Sequence, residues 1–290
     1  MGLDLCKIGR RLSTAIGSIL IVASCIIPVS AHELGLQLFS VRHQMERDVN
    51  QTFAEISQWG LKVVEGGGTL YGNSIDTYRN YLIANKLEMA SVDASYEELR
   101  DNPIAVAYKA RFFGSRYATF YWIPHDGNKP FDFETTKAAV AVMNKAGKLL
   151  QEQGITLQYH PHGYEFHPHE NGNLLDYMIQ NTQYAQFQMD VFWMKQAGMD
   201  PTKLLQQYPG RFTSLHLKDR LKGTPNSKDG SGDKESNVIL GEGDVGIASV
   251  VAEAKKQGIR YFFLEDESSR VMQQIPKSIT FLNELDGQVK

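Results

Sequence analysis

From residue 34 onward, short apolar runs alternate with stretches of helical period. Residues 34–41 read as a strand. Residues 46–59 follow as an amphipathic helix, with Val49, Phe53, Ile56 and Trp59 returning to one face at helical spacing. Residues 61–65 form a second strand, ended by Gly66, Gly67 and Gly68. The alternation continues with helix over 74–85, strand over 87–92, helix over 97–113 closed by Gly114, strand over 116–121, and a long helix over 134–153 closed by Gly154. In the second half it predicts strands at 155–159, 185–189, 212–217 and 261–264, with helices at 174–181, 202–207, 247–257 and 275–284. A polar stretch rich in Gly, Ser, Asp and Lys, residues 221–237, follows the seventh strand and reads as a loop.

Strands that alternate with helices imply parallel strands joined by right-handed crossovers. Eight such units of roughly 30 residues suit a closed (β/α)8 TIM barrel, placed here over residues 34–282. A doubly wound open sheet is the alternative. No linker divides the chain, so residues 32–290 are assigned to one barrel domain.

The first 31 residues break this pattern. Lys7, Arg10 and Arg11 precede an apolar run from Ala15 to Val29, and Val29, Ser30 and Ala31 supply the small residues a signal peptidase reads. Residues 1–31 are therefore expected to be a signal peptide, and the protein to be periplasmic or secreted. The run is short and interrupted for a membrane span, so no stable span is expected in the mature protein. Val22, Ala23, Ser24 and Cys25 also resemble a bacterial lipoprotein box, which would leave a lipid anchor on Cys25. The two cysteines of the chain, Cys6 and Cys25, both lie in this leader, so the processed chain has neither disulfide nor thiolate chemistry.

With 42% hydrophobic residues, 22% charged residues and a formal net charge of −3, the composition is that of an ordinary globular protein. No basic block suggests a nucleic-acid partner. Assembly of copies into a homo-oligomer stays open.

Residues able to bind a metal or carry protons gather at the C-terminal ends of the predicted strands. Glu65 ends the second, and Trp122, His125 and Asp126 follow the fourth. His160 ends the fifth, with His162 and Glu165 close behind. Asp190 ends the sixth, followed by Trp193. His216 lies at the end of the seventh, with Lys218 and Asp219 next, and Glu265 ends the eighth, with Asp266 and Glu267 next. In a barrel all these positions face one rim, where active sites form. Any one alone has a bland reading: His160 as a hydrogen-bonded core histidine, Asp190 as a helix cap. Together, His160, Asp190, His216 and Glu265 offer two nitrogens and two carboxylates. That set suits one divalent metal ion, Mn2+, Zn2+, Co2+ or Fe2+, with positions left for substrate. His162 lies two residues beyond His160, on the same side of an extended chain, and either can serve as the ligand. Lys218 stands in the same relation to His216. A nearby cation would lower its pKa and fit it for proton transfer. Trp122 and Trp193 offer faces for stacking on a sugar, and Glu65 and His162 polar contacts for it. The glycines at 66–68 lack the lysine of a phosphate loop.

Four segments resemble those of a known family. Tyr159-His160-Pro161-His162-Gly163-Tyr164-Glu165-Phe166 looks like the YHNHxxEF motif of the sugar phosphate isomerases/epimerases with the xylose isomerase-like barrel. The segment from Asp190 to Pro201 looks like its DvyWvxxaGxDP, Gly210 to Asp219 like its GRixxlHlKD, and Leu240 to Val245 like its vGeGxvd. They occur in family order and span nearly the whole mature chain. The resemblance implies a metal held from strands five to eight by His160, Asp190, His216 and Glu265. It implies isomerisation or epimerisation of a carbohydrate or keto-sugar through a metal-stabilised enediolate. Ketose 3-epimerases of this superfamily oppose two glutamates across the substrate. Here His160 stands at the strand-five position, which leaves Glu265 without that partner. Lys218, Glu165 or His162 could supply the second proton-transfer group. A lyase, dehydratase or hydrolase acting on a keto-sugar or keto-glycoside is the alternative on the same site, and a non-catalytic carbohydrate-binding barrel is a third.

The leader yields the first prediction. N-terminal sequencing of the localised protein is expected to read from His32, or to find a lipidated Cys25; a retained Met1 would contradict it.

Overall fold

The computed structural model describes residues 32–287. The expected signal peptide, with Cys6, Cys25 and Ala31, lies outside the described residues, as do residues 288–290. Among the described residues no helix is long and apolar enough to cross a membrane.

Eight parallel strands close into a barrel: β1 (Glu33–Gln37), β2 (Val63–Glu65), β3 (Glu88–Asp93), β4 (Tyr117–Phe120), β5 (Thr156–Tyr159), β6 (Ala185–Asp190), β7 (Phe212–Leu217) and β8 (Tyr261–Leu264). Each pairs with its neighbours in chain order, and residues 33–36 of β1 close the ring on residues 261–264 of β8. That pairing excludes the open sheet. Gly35 sits at the closure, where a Cβ would lie 2.8 Å from both the Phe263 ring and the Val63 carbonyl oxygen. Only glycine lets β1 approach this closely.

Several boundaries differ from the sequence pattern, each for a local reason. The first strand stops at Gln37, whose side chain accepts from the Phe39 backbone N–H at 3.0 Å and opens a 3-10 turn, Leu38–Val41. Leu38 and Val41 stay buried, so the apolar run continues while the backbone turns. The helix expected over 97–113 is two, Tyr96–Asp101 and Pro103–Phe113. Pro103 disfavours helical geometry at Asn102, which takes φ −148° and caps the second helix. A six-residue helix, Val191–Gln196, starts directly after Asp190, which caps it as its bland reading expects. The last helix begins at Val271, earlier than expected. The 221–237 loop is tied at its ends by a ladder between Asp219–Arg220 and Asn237–Val238.

The barrel interior beneath the rim is polar. Ser91 and Thr119 hydroxyls lie 2.7 Å apart, Thr119 donates to Gln158 Oε1 at 3.0 Å, and Gln158 Nε2 donates to Ser214 Oγ at 3.0 Å. Gln188 Nε2 also donates to Ser214 Oγ at 2.9 Å. All five side chains are fully buried. Each finds partners, as buried polar groups must, and the ladder forms a fixed floor for what lies above it.

Candidate metal centre

His160 directly follows β5, where its backbone N–H still donates to the Phe120 carbonyl at 3.0 Å. Asp190 ends β6 and pairs in register with His216 of β7. The three are 2%, 0% and 1% exposed. They form a group whose candidate ligand atoms all lie within 4.8 Å of one another, and which could hold a metal ion. His160 Nε2 lies 3.7 Å from Asp190 Oδ2.

Asp190 divides its two oxygens between two tasks. Oδ1 accepts from the backbone N–H groups of Phe192 at 2.7 Å and Trp193 at 3.1 Å, capping the helix Val191–Gln196. Oδ2 is buried without a hydrogen-bond partner. Such an atom carries its full desolvation cost, which a cation beside His160 would relieve. Burial pushes the Asp190 carboxyl up to about 7, although the Lys218 ammonium works against it. The residues present therefore fit a metal.

The two histidines have opposite electrostatics. Burial, then His216 and His162, hold His160 well below the usual imidazole range. For His216 burial acts in the same sense, but Glu65 and Glu265 outweigh it and raise the imidazole to about 10. Its Nδ1 lies 2.7 Å from Glu265 Oε2 and its Nε2 2.7 Å from Glu65 Oε2. Glu265 thus meets the cluster through His216. Burial works to raise its carboxyl, but Lys218 and His216 hold it well below the ordinary range.

A cavity of about 820 Å3 opens on this cluster, lined by His160, His162, His216, Lys218, Glu265, Trp122 and Trp193 among others. The His162 ring centroid lies 4.7 Å from that of His160 and 5.4 Å from Trp193. Its Nδ1 is buried without a partner, and burial lowers its pKa to about 4. Trp193 is nearly buried, whereas Trp122 is 43% exposed and stacks on His125 at 4.9 Å.

Three sequence expectations need correction. The chain's own groups do not depress Lys218. Burial works to lower its ammonium pKa, but Glu265, Glu267 and Asp190 outweigh it and hold it above the ordinary lysine value. Its Nζ donates to Glu267 Oε1 at 2.5 Å, lies 3.8 Å from Glu265 Oε1, and sits over the rings of Phe192 and Trp193. Glu165 does not line the cavity. Its carboxylate accepts from Tyr159 Oη, His162 N and Gly163 N, binding the turn that carries His162. Glu65 does not line the cavity either; it is fully buried beneath His216. The amides of Gly67 and Gly68 donate to Asp93 Oδ2, so the glycine run serves a carboxylate of this chain. A Cβ on Gly66 would lie 1.6 Å from Asp93 Oδ1, and its φ is +30°.

The sequence reading passed over Asp93, Gln37 and Tyr121, which also line the cavity. Gln37 Nε2 donates to Tyr121 Oη at 3.1 Å. Asp93 ends β3 one residue beyond its predicted limit, so the strand-end rule would have found it with the correct boundary.

The family model described as xylose isomerase-like TIM barrel matches residues 53–285. A sugar phosphate isomerase/epimerase from Parabacteroides distasonis is similar in fold, at 19% identity and TM-score 0.73, with 88% of this chain and 98% of that chain covered. The probable 3-DHS dehydratase AsbF from Bacillus anthracis is similar at 17% identity and TM-score 0.66, covering 87% and 97%. A D-allulose 3-epimerase from Methylomonas sp. is similar at 14% identity and TM-score 0.65, covering 88% and 98%. No curated protein matches the sequence.

The His216 geometry yields a pH prediction for the chelator-treated protein. An imidazole raised from 6.5 to about 10 contributes stability that is fully present below pH 6.5 and lost as pH rises through about 10. The melting temperature is expected to fall across that window, and His216→Gln to flatten the fall. An unchanged slope in His216→Gln would assign the fall to other groups.

Proposed function

The chain belongs to the xylose isomerase-like TIM barrel family, and from that premise we propose that it is a metal-dependent isomerase or epimerase of a carbohydrate or keto-sugar. The observation that carries this reading is the unpaired, fully buried Asp190 Oδ2 beside His160, which itself lines an aromatic-walled cavity. His160, Asp190, His216 and Glu265 would hold one ion. The mixed nitrogen and carboxylate donors suit Mn2+, Zn2+, Co2+ or Fe2+. When bound, such an ion supplies Lewis acidity to a substrate carbonyl and its neighbouring hydroxyl.

The chain's own groups divide the remaining work. Glu265 faces the cavity as an ionised carboxylate, fit to take a proton from the carbon beside the carbonyl. His162, neutral and with a free Nδ1, is the second proton-transfer group. Lys218 stays an ammonium, and so acts as a fixed positive donor toward developing negative charge. Trp193 and Trp122 supply flat apolar faces for a sugar ring. The cavity lysines are all paired: Lys218 and Lys234 with Glu267, Lys109 with Glu98 at 3.6 Å. That leaves no free cationic clamp among the described residues and supports an unphosphorylated substrate, as does the expected export.

The alternative is a lyase, dehydratase or hydrolase using the same residues. Elimination requires one base and one acid, and of the metal-site carboxylates Glu265 is the one that lines the cavity.

The test is product analysis. The metal-loaded protein, given a panel of keto-sugars and glycosides, is expected to yield products of unchanged mass and altered stereochemistry or carbonyl position by NMR. Loss of water or release of a sugar would establish the alternative. Sugar binding by the chelated protein without turnover would make it a binding protein. His216→Ala and Asp190→Ala are expected to lose both metal and activity while remaining folded. Lys218→Met is expected to keep the metal and lower kcat about 10²–10³-fold, the usual loss when a charge-stabilising donor is removed; an unchanged kcat would reduce Lys218 to a structural role.

A further inference from the structure

Glu65 is 0% exposed and lines no part of the cavity, yet it touches the supports of both histidines. Its Oε2 lies 2.7 Å from His216 Nε2. Both of its oxygens lie 2.9 Å from Gln188 Nε2. Gln188 Oε1 in turn lies 2.9 Å from His160 Nδ1.

We infer that Glu65 is the positioning residue of the metal site: it commits His216 to bind through Nδ1 and, by way of Gln188, commits His160 to bind through Nε2. This rests on the metal reading of the cluster.

The argument runs along the hydrogen bonds. A carboxylate only accepts, so the His216 nitrogen facing it carries a proton. His216 Nδ1 faces a carboxylate too, Glu265 Oε2, and is protonated as well until an ion enters. An ion held by Glu265 would displace that proton, whereas Glu65, outside the cavity, keeps the one on Nε2 and leaves Nδ1 to the metal. The same carboxylate decides which way the Gln188 amide points. Only its NH2 end can face Glu65, and that end also donates to Ser214 Oγ. The Gln188 carbonyl is left for His160, and a carbonyl only accepts. His160 therefore carries its proton on Nδ1, with its lone pair on Nε2, the nitrogen 3.7 Å from the unpaired Asp190 Oδ2. One buried charge thus leaves opposite nitrogens of the two rings to an incoming ion, one through a direct contact and one through an amide. A residue that only filled space would not distinguish the two nitrogens of either ring. Such outer partners hold a ligand's ring in place and raise its basicity.

The test uses the mature chain with Co2+ and Zn2+ as probes. In 15N-histidine-labelled wild-type protein loaded with Zn2+, long-range 1H–15N correlation is expected to show one ring metal-bound at Nδ1 with Nε2 protonated. A second ring should show the reverse. Two rings bound through the same nitrogen would overturn the inference. By chelator competition, Glu65→Gln is expected to weaken Co2+ binding about 10- to 100-fold and to alter the Co2+ visible absorption, with far-UV circular dichroism unchanged. Gln188→Met, which disconnects His160 while leaving the direct Glu65–His216 contact in place, is expected to weaken binding on its own. Combined with Glu65→Gln it should cost less than the product of the two single effects. Co2+ bound by Glu65→Gln with wild-type affinity and spectrum would overturn the positioning role and leave the metal reading standing. A wild-type protein that binds neither ion would overturn both. Should Glu65→Gln fail to fold, the wild-type tautomers and Gln188→Met decide.

Discussion

The site is built around one unmet demand: a carboxylate oxygen, Asp190 Oδ2, held in the protein interior without a hydrogen-bond partner. Water would satisfy it at the surface, and a backbone amide would do so in a loop. At the end of a barrel strand, with its sister oxygen already capping a helix, it has neither. The neighbours that converge on it are imidazoles and further carboxylates. Glu65, Asp190, Glu265 and Glu267 meet only two lysines among their ion-pair partners, Lys218 and Lys234. With the His216 imidazole neutral, as a metal ligand must be, four carboxylates against two ammonium groups leave two negative charges, which a divalent cation at the cluster would offset.

Such a concentration of charge needs a rigid frame. Closing eight strands brings Asp190, His216 and His160 together from adjacent staves, and the polar ladder beneath them fixes the depth of each. Buried hydrogen-bond networks are stabilising only when complete, and here the ladder from Ser91 to Gln188 is complete. At the rim above, Trp122, Trp193 and the paired lysines line the cavity. Within this arrangement Lys218 is a counter-charge, held cationic by the carboxylates it neutralises.

Much of this was legible in the sequence. The strand–helix alternation gave the barrel, because period two and period 3.6 are set by backbone geometry and survive a change of detail. The strand-end rule gathered His160, Asp190, His216, Lys218 and Glu265 at one rim, because parallel strands point their C-terminal ends the same way. Contacts between distant staves were not legible. Nothing local to Glu65 says that its carboxylate lies under His216, or that Lys218 is ringed by Glu265, Glu267 and Asp190. Those three carboxylates oppose the lowering that a nearby cation would cause. Yet one signal went unused. Gln158, Gln188 and Ser214 each stand two residues before His160, Asp190 and His216. A strand's alternation puts them on the same inward face, one layer deeper. The floor of the site was therefore written beside its ligands.

The central claim is that this cluster holds one metal ion, and anomalous diffraction from crystals of the Co2+-loaded protein tests it most directly. The account predicts a single strong anomalous peak at about 2.0–2.2 Å from His160 Nε2, His216 Nδ1 and Asp190 Oδ2, the range for nitrogen and carboxylate ligands. No peak there, or peaks confined to surface carboxylates, would contradict it.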